Sequence, residues 1–195
     1  GPGDGDGDGA AGAAGATGQV VGQIAKIKGA RVIGIAGGPE KCRWLVEEAG
    51  FDAAIDYKNE SVVEGIQRLC PNRINIFFDN VGGTILEAAL DHLALNARVI
   101  LCGGIAGYNE VTPAPGPKNI MNLVITRSRM EGFIVIDYLS QMGAFLADMV
   151  PWYQSGKIIH VEDVQEGFDA IPATLQRLFS GQNQGKQLLR LADPV

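Results

Sequence analysis

Strand-sized apolar runs alternating with helical patterns recur along this chain, and they limit its fold more than any other feature. Arg31–Ala36 (RVIGIA), Ile74–Asp79 (INIFFD) and Arg98–Cys102 (RVILC) are almost continuous in apolar residues. Such runs suit strands covered on both faces. Ala53–Asp56 and Met130–Ile136 are strand-like as well. Between them lie helical stretches: one opens at Pro39 and stops at Gly50, and others run over Val62–Leu69, Ile85–Leu93 and near Asn119–Thr126. Strands alternating in this way with helices predict an α/β protein, a doubly wound parallel sheet with helices on both faces.

Composition removes several classes of function. A chain of 195 residues with 46% apolar residues supports one domain with a proper core. A net charge of −6 offers no general basic face for nucleic acid. No apolar stretch reaches membrane-spanning length, and no signal-peptide pattern opens the chain. Cys42, Cys70 and Cys102 share no metal-ligand spacing, which fits reduced thiols in the cytoplasm and no metal site. Residues 1–9 (GPGDGDGDG) read as a tag or linker because they have almost nothing to bury. Residues 10–155 are then expected to form the main domain and 156–195 a C-terminal segment that packs partly against something outside the chain. Excluding 1–9 also removes the fold's first, central strand, which would leave its neighbours without ladder partners.

The segment before the first clear helix carries the chemistry. Gly12-Ala13-Ala14-Gly15-Ala16-Thr17-Gly18 is a G-x-x-G-x-x-G run that opens a helix with Val20, Val21, Ile24 and Ile27 on one face and Gly29 at its end. Glycines there allow a tight turn and close approach of a pyrophosphate to the helix N-terminus, as in Rossmann-type folds. The end of the second strand then selects the cofactor. Enzymes using NAD commonly place an acid there for the ribose 2′-hydroxyl. This chain has Ala36-Gly37-Gly38, followed by Lys41 and Arg43, which favours a 2′-phosphate and therefore NADPH/NADP+. Glu40 is the opposing charge, but its place after Pro39 in a first helical turn suits the helix dipole.

The motifs GAAGATGQVVGQIAKIKG, AGGPEKC, DYKNE, FDNVGG, CGGIAGYN, EGFIV and GQNQGK follow one another in this chain. Their order resembles the NADPH-dependent double-bond reductases of the medium-chain dehydrogenase/reductase superfamily. That group contains the leukotriene B4 12-hydroxydehydrogenase/prostaglandin reductases and bacterial curcumin reductases. The resemblance runs from Gly12 to about Leu191. It implies that Gly15, Ala16, Thr17 and Gly18 hold the pyrophosphate, and that Lys41 and Tyr57 contact the 2′-phosphate. It further implies that Asn80 and the loop Cys102, Gly103, Gly104, Ile105, Ala106, Gly107 and Tyr108 line the cofactor. Phe133, Ile134 and Val135 would pass the nicotinamide, and Asn183 would reach it from the C-terminal segment. The reaction implied is zinc-independent reduction of the C=C bond of an enone or alkenal by a homodimer, with Tyr108 as the candidate catalytic donor. The GroES-like catalytic domain that forms the substrate cleft in this group is largely absent from the sequence. A quinone reductase of the same superfamily and a non-catalytic NADPH-binding module are the alternatives.

Other candidates carry less. His92 and His160 have no plausible partner nearby in sequence. Tyr153 and Lys157 match the Y-x-x-x-K of short-chain dehydrogenases, with Ser140 upstream. Pro151 and Gly156, however, break the continuous helix that pairing would need.

Overall fold

A computed structural model of the protein describes residues 7–107 and 115–192. Six strands, β1 (Gly7–Ala11), β2 (Arg31–Ala36), β3 (Ala53–Asp56), β4 (Ile74–Asp79), β5 (Leu93–Leu101) and β6 (Arg129–Gly132), form one sheet in the order β3-β2-β1-β4-β5-β6. All five pairings are parallel. The helices α1 (Gly18–Ile27), α2 (Pro39–Glu47), α3 (Val62–Leu69), α4 (Gly83–Leu90) and α5 (Asn122–Thr126) connect them. This is the doubly wound Rossmann order, with the strand order reversing between β1 and β4. Beyond β6, a 3-10 turn (Val135–Gln141) and α6 (Met142–Gln154) lead to a second, two-stranded parallel sheet. That sheet pairs β7 (Glu162–Glu166) with β8 (Lys186–Arg190), and α7 (Ile171–Ser180) lies between them in sequence. Among the described residues, no helix is long and apolar enough to cross a membrane.

The core follows from the strand pattern. Alternate residues of β2 enter opposite faces. Val32 and Ala36 join Ala13, Ala14, Trp44, Leu45, Ala49 and Phe51 on one side. Ile33 and Ile35 join Ile55, Ile66, Phe77, Leu90, Leu93 and Val99 on the other. Both clusters are buried, and β2 is covered on both faces, whereas β4 and β5 are not: Ile76 and Arg98 are exposed and Ile100 is half-buried. No disulfide joins Cys42, Cys70 or Cys102.

Four expectations need correction. The first strand is present: Gly7–Ala11 sits at the centre of the sheet, with Gly9 opposite both Ile33 and Phe77. Residues 7–9 are thus part of the fold and not linker. The ladder uses only backbone groups, and bulky neighbours supply the burial, so a glycine-rich segment can serve as a central strand. Second, α1 buries Gly18, Gln19, Gly22 and Gln23 and not the face bearing Val20, Val21, Ile24 and Ile27, which is only half-buried. Small residues let this helix approach closely: a Cβ on Gly22 would lie 1.9 Å from Phe51 Cζ. Gly22→Ala should accordingly destabilise the fold by about 1–3 kcal/mol through overpacking. A urea midpoint equal to that of the unmodified chain would refute the notch.

Third, β5 starts at Leu93, and α4 stops at Leu90. Leu93 pairs with Ile74 before a register shift, and Asn96 turns through φ 61°, so the strand is irregular up to Arg98. Fourth, the segment expected as a strand over Met130–Ile136 is paired only through Arg129–Gly132, and the chain then turns into the 3-10 segment. The break between Tyr153 and Lys157 holds: α6 ends at Gln154 and Gly156 adopts φ 72°. Tyr153 and Lys157 therefore share no continuous helix.

Candidate functional site

The carboxyl ends of β1 and β4 diverge at the switch point of the sheet, where open α/β folds bind ligands. A cleft of about 640 Å³ opens there. Gly12, Ala14, Gly15, Ala16 and Thr17 form its floor. The loop is compact: Gly15 N donates to Gly12 O at 3.0 Å, and Gln19 N donates to Gly15 O at 3.1 Å. Gly18 is packed so tightly that an added Cβ would lie 2.3 Å from Gly12 O and 2.8 Å from Ala13 Cα. Thr17 makes no side-chain cap on α1, and the first turn holds no acid. The positive end of the helix dipole is thus left to an anion supplied from outside.

The opposite wall comes from β4 and β5. Asp79, wholly buried at the end of β4, accepts hydrogen bonds from Val81 N (2.8 Å) and Gly82 N (2.9 Å). Burial holds its carboxyl above the usual carboxylate range, while those two N–H groups pull the other way. This turn presents Asn80 and Val81 to the cleft, and Cys102 N donates to Asp79 O at 2.8 Å. Cys102, Gly103 and Ile105 line the same wall. Burial raises the Cys102 thiol, and burial with Asp56 and Glu60 raises Cys42 to about 11, so neither is a ready nucleophile.

At its far end the cleft becomes basic. Lys41 is half-buried and donates through Nζ to Gly181 O at 2.7 Å. Burial lowers its pKa, the neighbouring Lys58 and Arg177 lower it further, and Asp163 opposes them. A bound anion there would relieve that mutual repulsion. Tyr57 covers Gly37, where an added Cβ would meet the phenol oxygen at 2.7 Å and Lys58 Cε at 2.9 Å. Asp56, at the end of β3, is already engaged: its Oδ1 accepts from Gly38 N (2.8 Å) and Lys58 N (3.1 Å), and its Oδ2 from Asn59 Nδ2 (2.7 Å). Glu40 is exposed and outside the lining, as is Arg43. Gly38 adopts φ 106°, so placing an acid there would strain the backbone as well as add charge.

The structure brings some of the residues singled out in the sequence together and leaves others apart. Gly15, Ala16, Thr17, Lys41, Tyr57, Asn80, Cys102, Gly103, Ile105 and Asn183 converge on one cleft. Gly18 supports its floor from beneath. Gly104 precedes the adjoining 3-10 turn, which ends at Gly107, and Gly107 N donates to Gly104 O. Ala106 sits in the same turn. Tyr108 lies outside the described residues. Phe133, Ile134 and Val135 do not enter the cleft wall. Phe133 packs 6.2 Å from the Phe78 ring, and Ile134 and Val135 are exposed just beyond β6. Two features escaped the sequence reading. Lys58 adds a second cation beside Lys41, and Leu178, Phe179, Ser180 and Gly181 at the end of α7 close the basic end. The signal for the latter was a glycine just past a helical pattern, which reads only as a stop.

No group of three or more His, Cys, Asp or Glu side chains among the described residues could hold a metal.

Comparison with known proteins places this geometry. Residues 16–150 match the family described as zinc-binding dehydrogenase. The 2-alkenal reductase (NADP(+)-dependent) of Nicotiana tabacum is 41% identical over 92% of this chain and 52% of its own length. The NADPH-dependent curcumin reductase of Escherichia coli is 38% identical over 98% of the chain and 57% of its own length. The crystal structure of CurA from Vibrio vulnificus in complex with NADPH superposes with a TM-score of 0.92 at 41% identity, over 99% of this chain and 59% of that one. The chain thus spans little more than half the length of these relatives. Strand order, loop and likeness agree: the chain belongs to the zinc-binding dehydrogenase family of the medium-chain dehydrogenase/reductase superfamily, whose Rossmann-type part it carries.

Proposed function

We propose that this chain binds NADPH and that, as part of a complete enzyme, it serves reduction of the conjugated C=C bond of enones and alkenals. One observation carries the cofactor reading. The uncapped glycine floor leads directly into a basic end lined by Lys41 and Tyr57, with Lys58 close enough to lower the Lys41 pKa, while Asp56 is occupied by backbone donors. NADPH, when bound, supplies the hydride for such a reduction. The chain's own residues bind and orient it. The α1 N-terminus receives the pyrophosphate, and Lys41 and Lys58 receive the 2′-phosphate. Asn80, Cys102 to Gly107 and Asn183 border the remainder, with the backbone of Phe133 to Val135 beyond. Tyr108 is the proposed hydrogen-bond donor to the substrate carbonyl oxygen. The relatives named for alkenal and curcumin reduction support the substrate class.

Residues 156–195 are proposed as a segment that packs on a substrate domain. A cytoplasmic homodimer completes the proposal. Met121, Val124 and Ile125, in and just before α5, are 64–69% exposed, a surface suited to a second copy. In the full-length protein, NADPH oxidation should be fast with a conjugated enone and slow with a quinone, and Tyr108→Phe should lower turnover without weakening NADPH binding. Faster oxidation with the quinone would overturn the substrate assignment. The 195 residues alone should bind NADPH without reducing enones, because the substrate must be held about 3–3.5 Å from the reacting carbon.

A further inference from the structure

Two glutamines sit where a helix in an α/β protein ordinarily places apolar side chains. Gln19 and Gln23 of α1 are 1% and 3% exposed, and their four-residue spacing puts them on one face. That face meets the extended segment 158–161. Gln23 Oε1 accepts from Ile159 N at 2.9 Å, while its Nε2 donates to Ile159 O at 2.9 Å. Gln19 repeats the pattern on Val161: Oε1 accepts from Val161 N at 3.0 Å, and Nε2 lies 3.5 Å from Val161 O. Toward the segment each carboxamide turns one N–H donor and its oxygen, as a peptide group does, and the second N–H of Gln23 Nε2 donates to Gln19 O at 2.8 Å. Four residues of helix rise about 6 Å, and two residues of strand advance about 6.7 Å. The helix face therefore matches every second residue of an extended chain and substitutes for a strand edge.

The contacts continue to the cleft. Val161 O accepts from Lys186 N at 2.8 Å, and Gly185 N donates to Ala14 O at 3.0 Å, within a parallel bridge between Gly15 and Gly185. Gly185 has φ 69°, and a Cβ on it would fall 2.0 Å from Val161 O. Asn183 Nδ2 donates to Gly185 O at 2.9 Å. A closed ring thus runs from the phosphate loop through Gln19, Val161 and residues 185–186 back to Ala14.

We infer that Gln19 and Gln23 are positioning residues for the cofactor cleft, which hold segment 158–161 against α1 and thereby fix the Asn183–Gly185 wall against the phosphate loop. The inference rests on the NADPH reading of that cleft. Because the ring is closed, cofactor binding and docking of the C-terminal unit are coupled, and the coupling is reciprocal. Leucine at both positions would keep the volume but leave Ile159 N, Ile159 O and Val161 N without these partners, while Val161 O keeps its bond from Lys186 N.

The test uses the 195-residue chain and its Gln19→Leu/Gln23→Leu and Gln23→Glu variants, with NADPH titration and amide hydrogen exchange. In the unmodified chain, NADPH should slow exchange at residues 159–161 and 185–186. The double variant should exchange faster there with or without NADPH, keep its protection in β2, β4 and β5, and bind NADPH about tenfold more weakly. In the Gln23→Glu variant, a protonated carboxyl can restore the acceptor for Ile159 N and one donor to Ile159 O, though not the second N–H that Gln23 Nε2 gives to Gln19 O at 2.8 Å, whereas the carboxylate has no donor at all. NADPH affinity of that variant, relative to the unmodified chain, should therefore recover as pH falls through the carboxyl's burial-raised pKa. Faster exchange at 159–161 with NADPH affinity within twofold would overturn the inference. If the double variant fails to fold, a relative affinity of Gln23→Glu that is independent of pH overturns it. Absence of NADPH binding by the unmodified chain would overturn the cofactor reading itself, and the inference with it.

Discussion

Gly18→Ala should all but remove NADPH binding while leaving the chain folded. The added methyl would stand 2.3 Å from Gly12 O and 2.8 Å from Ala13 Cα, both backbone atoms that no side-chain rotation can move. Relief requires α1 to withdraw from the loop, which separates the helix N-terminus from the position of the pyrophosphate. A displacement of this kind costs about 2–3 kcal/mol, or about 100-fold in Kd. The helix itself accepts alanine readily. Titration should therefore show the loss while circular dichroism stays unchanged. Unaltered affinity would mean that the glycine run does not form the anion cradle.

Phe77→Ala should cause the largest loss of stability of any single truncation in the sheet. Phe77 is wholly buried and lies between Gly9 of β1 and Val99 of β5. Large-to-small changes at such positions cost about 3–5 kcal/mol, and more where neighbours cannot collapse into the cavity. Glycine at position 9 has no side chain with which to fill it. A loss of that size is a large share of a typical domain's total stability. Chemical denaturation should show it directly, and a change below about 1 kcal/mol would place Phe77 outside the core.

These two positions also show what the sequence could and could not disclose. β2, β3 and β4 were legible to the residue because each is a short, mostly apolar run with polar or Gly punctuation around it, and α3 because its apolar residues recur at helical spacing. β1 was not. Its residues carry no strand signal of their own, and the ladders of β2 and β4 impose the extended form. The facing of α1 was hidden for a related reason. Its periodicity marks Val20, Val21, Ile24 and Ile27 as an apolar stripe, yet glycine allows the closest approach to Phe51 and the glutamines find backbone partners 136–142 residues away. In the cleft, the glycine loop, Lys41 and Tyr57 were visible as motifs. Lys58 and the turn at Leu178–Gly181 were not, because only folding brings the end of α7 over Lys41.

Calorimetric titration of the 195-residue chain with NADPH and with NADH, repeated on Lys41→Ala, tests the central claim most directly. The account predicts tighter binding of NADPH. It also predicts that Lys41→Ala costs NADPH about 1–2 kcal/mol, the worth of a charge-assisted phosphate contact that is partly exposed. NADH, which lacks the 2′-phosphate, should be little affected. Equal affinities for the two cofactors, unchanged by the substitution, would contradict it.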